Sequence, residues 1–445
     1  MTTSEISETS ETSEISEHDL ATISTARWHP AWKTAAIAAL ALIAAGSFTT
    51  IAGLVTGPLV DTKGWGRTGI GAGVGINMVL YGAVAPFTAA AMDRYGVRRV
   101  TALALLVLAV SSVLIAELTP SVLWFVLWWG LLVGIGTGSI TMVFGATVAN
   151  RWFREKIGLA TGVLTAASVL GQFAMLPLLS VVLAQQDWRW PVLMCGGLAV
   201  LALIGVLIFL RDSPAAVGAL RYGAADSRDD GAPSATSRSV NPFRRTIDAL
   251  RECLRDSRFW VLAFMFALCG ATTNGLMWSH FTPAAHDHGM AATSASGLLA
   301  IIGATNILGT VSAGWLSDRI EPRLLLALFF LGRGLSLAVL PVLLVSDLNP
   351  SLVTFAVFFG ILDVATVPPT LALCRHYFGE NAALAFGWVN VFHQFGAGAM
   401  GLVGGMIREV GGSYTPVWIL GAVGCVLAAV LGATTSRIHR VPAAR

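Results

Sequence analysis

The stretch Ala89-Ala90-Ala91-Met92-Asp93-Arg94-Tyr95-Gly96-Val97-Arg98-Arg99 returns 225 positions later as Gly314-Trp315-Leu316-Ser317-Asp318-Arg319-Ile320-Glu321-Pro322-Arg323. Each copy joins an Asp to an Arg in a short turn, and long apolar runs flank it on both sides. In a chain of 445 residues this offset is about half the length. A signature repeated at half-length predicts an internally duplicated membrane bundle, the architecture typical of carriers. Where one membrane helix ends and the next begins, the Asp can sit at a helix N-terminus or pair with an Arg. The basic side chains then hold the turn in the anionic interface.

Composition agrees. Apolar residues make up 55% of the chain and charged residues 12%, with mean hydropathy +0.72. Soluble domains carry roughly 25% charged residues, so the missing charge marks a bilayer as the solvent. A span needs ~20 mostly apolar residues. Twelve such stretches are expected, at 34–58, 68–91, 100–117, 121–148, 158–184, 189–210, 258–282, 292–316, 323–345, 350–374, 381–407 and 415–434. The expected fold is therefore all-α and membrane-embedded, with twelve helices in two six-helix halves. Its parts are a disordered tail (1–30), an N-terminal half (31–210), a linker (211–257), a C-terminal half (258–435) and a second tail (436–445). The tail assignment rests on six acidic residues among the first 26, with no apolar core and no signal-peptide pattern. The connections leave no room for a soluble catalytic domain, so the chain is not expected to be an enzyme.

With both termini placed on the cytoplasmic side, 23 of the 28 Lys and Arg fall there. The opposite side keeps only Lys63, Arg67, Arg189 and Arg408. That asymmetry predicts a multi-pass cell-membrane protein with both ends inside the cell. The five cysteines lack metal-ligand spacing and read as small core residues. The basic segment between the halves has no aromatic interleaving, so no nucleic-acid partner is expected. Neither a metal nor any other cofactor is expected.

The duplicated turn after spans 2 and 8 resembles the major facilitator superfamily over nearly all of residues 30–435. Within it the chain is most similar to the monocarboxylate-porter and oxalate/formate-antiporter branch. The residues that carry this are Leu80-Tyr81-Gly82-Ala83 with Pro86, Arg151-Trp152-Phe153, Gly158-Leu159-Ala160-Thr161-Gly162, Phe386-Gly387-Trp388 and Gly411-Gly412-Ser413-Tyr414. The resemblance implies gating roles for Asp93, Arg94, Gly96, Arg98, Asp318 and Arg319. It departs in span 8, where Asn306 and Thr310 stand at the positions of an Asp and an Arg that serve proton and carboxylate in eukaryotic members.

Charge inside a bilayer is costly, at least ~2.5–3.5 kcal/mol per group, and points to function. Arg333, Asp363 and His393 each lie 11 or 12 residues from a cytoplasmic span end. At 1.5 Å per residue all three reach about 16–18 Å depth, close to the midplane. Two readings follow: a relay or anion site, or an Arg333–Asp363 ion pair between spans 9 and 10. Gln394, Tyr81, Gln172, Asn274 and Asn306 complete the candidate substrate and proton site. Pro368-Pro369 predicts a break in span 10, and Asn274-Gly275 a weak point in span 7. His280, His286, Asp287 and His288 read as a solvated mouth.

The expected function is alternating-access transport of a small organic anion of the monocarboxylate kind, driven by protons. The expected partners are that substrate, protons and the lipid bilayer, and the carrier is expected to be a monomer. Trp128, Trp129, Trp278 and Met277 motivate a rival, an exporter of amphipathic drugs or secondary metabolites. A non-transporting receptor with the same fold is a second rival.

Overall fold

The computed structural model describes residues 29–224, 242–317, 319–379 and 382–434. Asp318, the greater part of both expected tails and the middle of the expected linker lie outside the described residues.

Spans 1 to 3 are the helices Pro30–Lys63, Arg67–Tyr95 and Val97–Glu117. Spans 4 to 6 are Val122–Trp152, Leu159–Gln185 and Arg189–Phe209. Spans 7 to 9 are Ser257–Asp287, Ala292–Ser317 and Pro322–Leu343. Span 10 is two helices, Pro350–Asp363 and Val367–Phe378. Spans 11 and 12 are Ala382–Gly411 and Thr415–Thr434. Eleven of these are long and apolar enough to cross a membrane by composition alone. The other, Ala382–Gly411, is diluted by Asn390, His393 and Gln394, which are also its chemistry.

The bundle has a basic end, with the Asp93 turn, Arg151 and Arg375, and a far end, with Lys63, Arg67, Asp287 and Arg408. Spans 2 and 11 pack along each other across the two halves. A Cβ on Gly75 would meet the carbonyl oxygen of Gly398 at 2.6 Å, and one on Gly398 would meet that of Gly75 at 2.6 Å. Only glycine at both positions lets the backbones come this close, where dispersion substitutes for a hydrophobic drive that lipid cannot supply.

Three spans contain π-helical turns: Val126–Val133 in span 4, Leu170–Ala174 in span 5 and Ala271–Trp278 in span 7. A π turn shifts the hydrogen-bond register and leaves a carbonyl short of a donor. Neighbouring side chains serve carbonyls in all three. Asn77 Nδ2 donates to Trp129 O (2.9 Å), Thr50 Oγ1 to Gln172 O (2.6 Å) and Ser279 Oγ to Asn274 O (2.7 Å).

The expected linker contains a helix, Pro242–Cys253, which packs against spans 2 and 11 at the basic end. Trp388 Nε1 donates to Thr246 O (3.1 Å), and the Trp388 ring meets Phe87 edge-on at 6.2 Å. The segment just after span 6 folds back over the N-terminal half. Tyr222 bridges to Phe153 and packs edge-on against His29.

In the first signature turn Asp93 pairs with Arg151 from the end of span 4, at 2.5 Å, rather than with Arg94. Arg151 also donates to Met92 O, the last turn of span 2 (3.3 Å). The start of span 3 is held by a different acid: Asp212 accepts from the Arg98 backbone N–H (2.8 Å), beside Gly96 at φ +92°. The Arg98 guanidinium donates to Leu207 O. In the second turn Arg319 lies over the Trp315 ring at 3.9 Å.

Candidate functional site

The break in span 10 organises the site. Pro368 and Pro369 carry no N–H, so the helix cannot run through, and it stops at Asp363. Stopping at mid-membrane exposes the last carbonyls of Pro350–Asp363. Arg333 of span 9 reaches them: Nη2 donates to Leu362 O (2.9 Å) and to Asp363 O. Nη1 donates to Cys269 Sγ (3.2 Å) and Thr272 Oγ1 (3.4 Å) of span 7. A fully buried guanidinium thus caps a helix C-terminus inside the bilayer, where charge and dipole attract.

This corrects the expected Arg333–Asp363 ion pair. The two residues meet, but guanidinium to backbone. The Asp363 side chain turns to span 8 instead, where Asn306 Nδ2 donates to its Oδ2 at 3.3 Å. The other Asp363 oxygen, Oδ1, and the amide oxygen of Asn306, Oδ1, are buried without a hydrogen-bond partner, as is Arg333 Nε. Asn306 of span 8 is therefore in direct contact with a carboxyl group supplied by span 10.

His393 belongs to span 11. Its Nε2 lies 3.4 Å from Thr273 Oγ1, its ring lies 5.0 Å from the Phe266 ring, and Nδ1 is buried and unpartnered. Thr273 donates in turn to Cys269 O (3.0 Å), and Cys269 Sγ lies 3.3 Å from Thr366 Oγ1 at the span 10 break. One polar network therefore joins His393, Thr273, Cys269, Arg333, Asp363 and Asn306 through five spans. Beside it Asn274 Nδ2 donates to Gln394 Oε1 at 3.5 Å. Gln394 packs against Gly82 of span 2, next to Tyr81, so this part of the site meets the other half of the molecule.

The structure brings together His393, Asp363, Arg333 and Asn306, and sets Gln394, Asn274 and Tyr81 beside them. Gln172 is elsewhere, with its backbone under Thr50 and Gly46 of span 1. Cys269, Thr272, Thr273 and Thr366 escaped the sequence reading. The polar run Thr272-Thr273-Asn274 inside an apolar span was the available signal for two of them. Of the aromatic residues that motivated the export rival, Trp129 stacks on Phe125 (5.8 Å) and Trp128 on Trp124 (5.1 Å), away from the network.

The far end is closed. Phe173 of span 5 stacks on Trp278 of span 7 with centroids 4.0 Å apart, linking the halves. Beyond it Asp287 takes Arg67 at 2.8 Å and Arg408 at 2.6 Å. Glu409 accepts the Thr68 backbone N–H at 2.7 Å, placing a carboxylate at the N-terminus of span 2. That hydrogen bond with Thr68 holds the Glu409 carboxyl below its ordinary range. His280 binds the carbonyls of Met400 and Gly401, and His288 that of Ala284, so these imidazoles serve helix termini and backbone. No cluster of metal-ligating side chains occurs among the described residues.

Comparison with known proteins places this geometry. The family model for the Major Facilitator Superfamily matches residues 37–397 and 284–444. The chain is 26% identical to an uncharacterized MFS-type transporter, YcxA, of Bacillus subtilis, over 78% of this chain and 81% of that protein. It is 24% identical to monocarboxylate transporter 12 of Homo sapiens, over 73% of this chain and 64% of that one. Among solved structures it resembles the nucleoside transporter NupG, with TM-score 0.70 at 14% identity over 91% of this chain and 99% of NupG. The xylose transporter XylE from E. coli superposes with TM-score 0.65 at 15% identity, over 92% and 98%.

Proposed function

The chain belongs to the Major Facilitator Superfamily and is a multi-pass membrane transporter, and from this premise we propose that it carries a small organic anion of the monocarboxylate kind. Transport proceeds by alternating access, with the two six-helix halves rocking about the midplane, and protons drive it. Its place is the cell membrane with both termini cytoplasmic, an orientation that the lysine and arginine asymmetry supports. It works as a monomer, and its partners are the substrate, protons and the surrounding lipid.

The observation that supports an anionic substrate is the polar group made by His393 with Thr273 and Gln394 with Asn274, of which Gln394 meets Gly82 of the other half. With Nε2 donating to Thr273, the unpartnered Nδ1 is an acceptor in the neutral ring and becomes a donor to a carboxylate when the imidazole is protonated, close to the positive charge of Arg333. Arg333 itself is committed to carbonyls, so it contributes field rather than contact. Resemblance to the monocarboxylate transporters points the same way.

The test uses purified protein in liposomes with labelled lactate. An inward proton gradient should drive accumulation, and His393→Ala should raise KM about 10- to 100-fold, the loss of one ~1.5–3 kcal/mol hydrogen bond to a charged group. If lactate shows neither accumulation nor counterflow while a lipophilic cation does, the export reading replaces this one.

A further inference from the structure

We propose that Asp363 is the proton-binding group of this carrier, and that Asn306 holds the proton there as the amide half of a cyclic acid–amide pair. This rests on the reading that protons drive transport and adds the site.

Asp363 is 1% exposed and Asn306 3%. One hydrogen bond already joins them, from Asn306 Nδ2 to Asp363 Oδ2. What remains on the two groups is two acceptors, Asp363 Oδ1 and Asn306 Oδ1, both buried and unpartnered. A carboxylate has no donor, so this arrangement lacks one hydrogen. A proton on Asp363 Oδ1 supplies it. The O–H donates to Asn306 Oδ1 while the amide N–H donates to Oδ2, and each group satisfies the other.

Charge supports the same assignment. The groups that act on the Asp363 carboxyl are Arg333 of span 9, Cys269 of span 7, His393 of span 11 and Asn306 of span 8. The sole permanent cation among them spends both Nη groups on the carbonyls of Leu362 and Asp363, the Cys269 sulfur and the Thr272 hydroxyl. It makes no ion pair with the carboxylate. An ionised Asp363 in this place would rest on a single amide donor, and a buried charge held so poorly is costly, whereas a neutral acid is not.

The pair also provides a way to couple. When the proton leaves, the acid–amide ring opens, and the new carboxylate has the unpartnered Arg333 Nε within the same network. The proton is released to water when alternating access opens the site, and span 10 exchanges a contact with span 8 for one with span 9. Protonation state is thereby converted into which helix the broken span follows.

Infrared difference spectroscopy of the full chain in liposomes, without substrate, reads the site independently of transport. At neutral pH the wild type should show a carboxylic acid C=O band that Asp363→Asn abolishes and Asn306→Leu shifts in frequency. Asp363→Asn should keep the wild-type Tm, because its new amide donates to Asn306 Oδ1, and should lose accumulation driven by a pH gradient. A neutral-pH spectrum unchanged by Asp363→Asn, or gradient-driven accumulation that survives the substitution, overturns the proposal. Should Asp363→Asn fail to fold, Asn306→Leu decides alone: no frequency shift means that no acid–amide pair exists. A wild type that shows the band but never accumulates lactate would refute the anion-transport reading and leave this site standing.

Discussion

Replacing Asp287 by Asn should loosen the closed far end. Asp287 belongs to span 7 and grips two arginines, Arg67 of span 2 at 2.8 Å and Arg408 of span 11 at 2.6 Å. The Arg408 pair lies within the C-terminal half and survives opening. The Arg67 pair crosses between the halves and is broken by opening, so it alone favours closure. Its side chains are 13% and 16% exposed, more enclosed than a surface pair worth about 0–1 kcal/mol and less than fully buried. A charge-assisted hydrogen bond contributes ~1.5–3 kcal/mol when well shielded, and partial solvent screening reduces this to about 1–2 kcal/mol. The open fraction should then rise about 5- to 30-fold. Thr56 is buried in the small void behind this latch, lined also by Arg67, His280 and Tyr414. The five native cysteines are buried. The reaction of Thr56→Cys with a membrane-impermeant maleimide, in detergent, therefore reports opening. The labelling rate should rise by the same factor in the Asp287→Asn background and stay unchanged with Asp187→Asn, whose pair with Arg189 is exposed and local. A rate within twofold of the parent would refute the latch. Acid acts on the same closure: the Thr68 hydrogen bond depresses the Glu409 carboxyl, so its contribution is full above the ordinary Glu range and fades as pH falls below it.

Arg333→Gln should cost folded yield, because the carbonyls of Leu362 and Asp363 lose their donor in a site that excludes water, at ~1–3 kcal/mol each. Adding Asp363→Asn should not restore it, since the carboxylate was never the partner; recovery in the double mutant, measured by fluorescence-detected size exclusion, would contradict this. Asp93→Asn breaks an exposed pair with Arg151, so stability should change by no more than about 1 kcal/mol while turnover falls. Equal transport rates for Asp93→Asn and wild type in liposomes would remove Asp93 from the gate.

The candidate site was partly legible. Depth arithmetic singled out Arg333, Asp363 and His393 because membrane helices are straight enough for residue count to give height. Pro368-Pro369 announced the break because a missing N–H is a local property. The same arithmetic failed on partnership. It gave Arg333 and Asp363 the same height and opposite charge, but could not see that the break itself creates carbonyls competing for the guanidinium. Nor could it find Cys269 and Thr272 of span 7 or Thr366 at the span 10 break, whose roles depend on how spans 7, 9 and 10 are rotated against one another.

By itself the sequence determined the bilayer as solvent, the twelve helices, the duplication and the basic end of the bundle, because each follows from hydropathy or spacing along one chain. The tertiary structure alone decided which side chains meet. It sent Asp93 to Arg151, Arg333 to a broken helix end, and Asp363 to Asn306. The reason is that a buried polar group takes whichever donor or acceptor helix packing brings within about 3 Å, and rotation about a helix axis changes that partner while leaving depth and composition untouched.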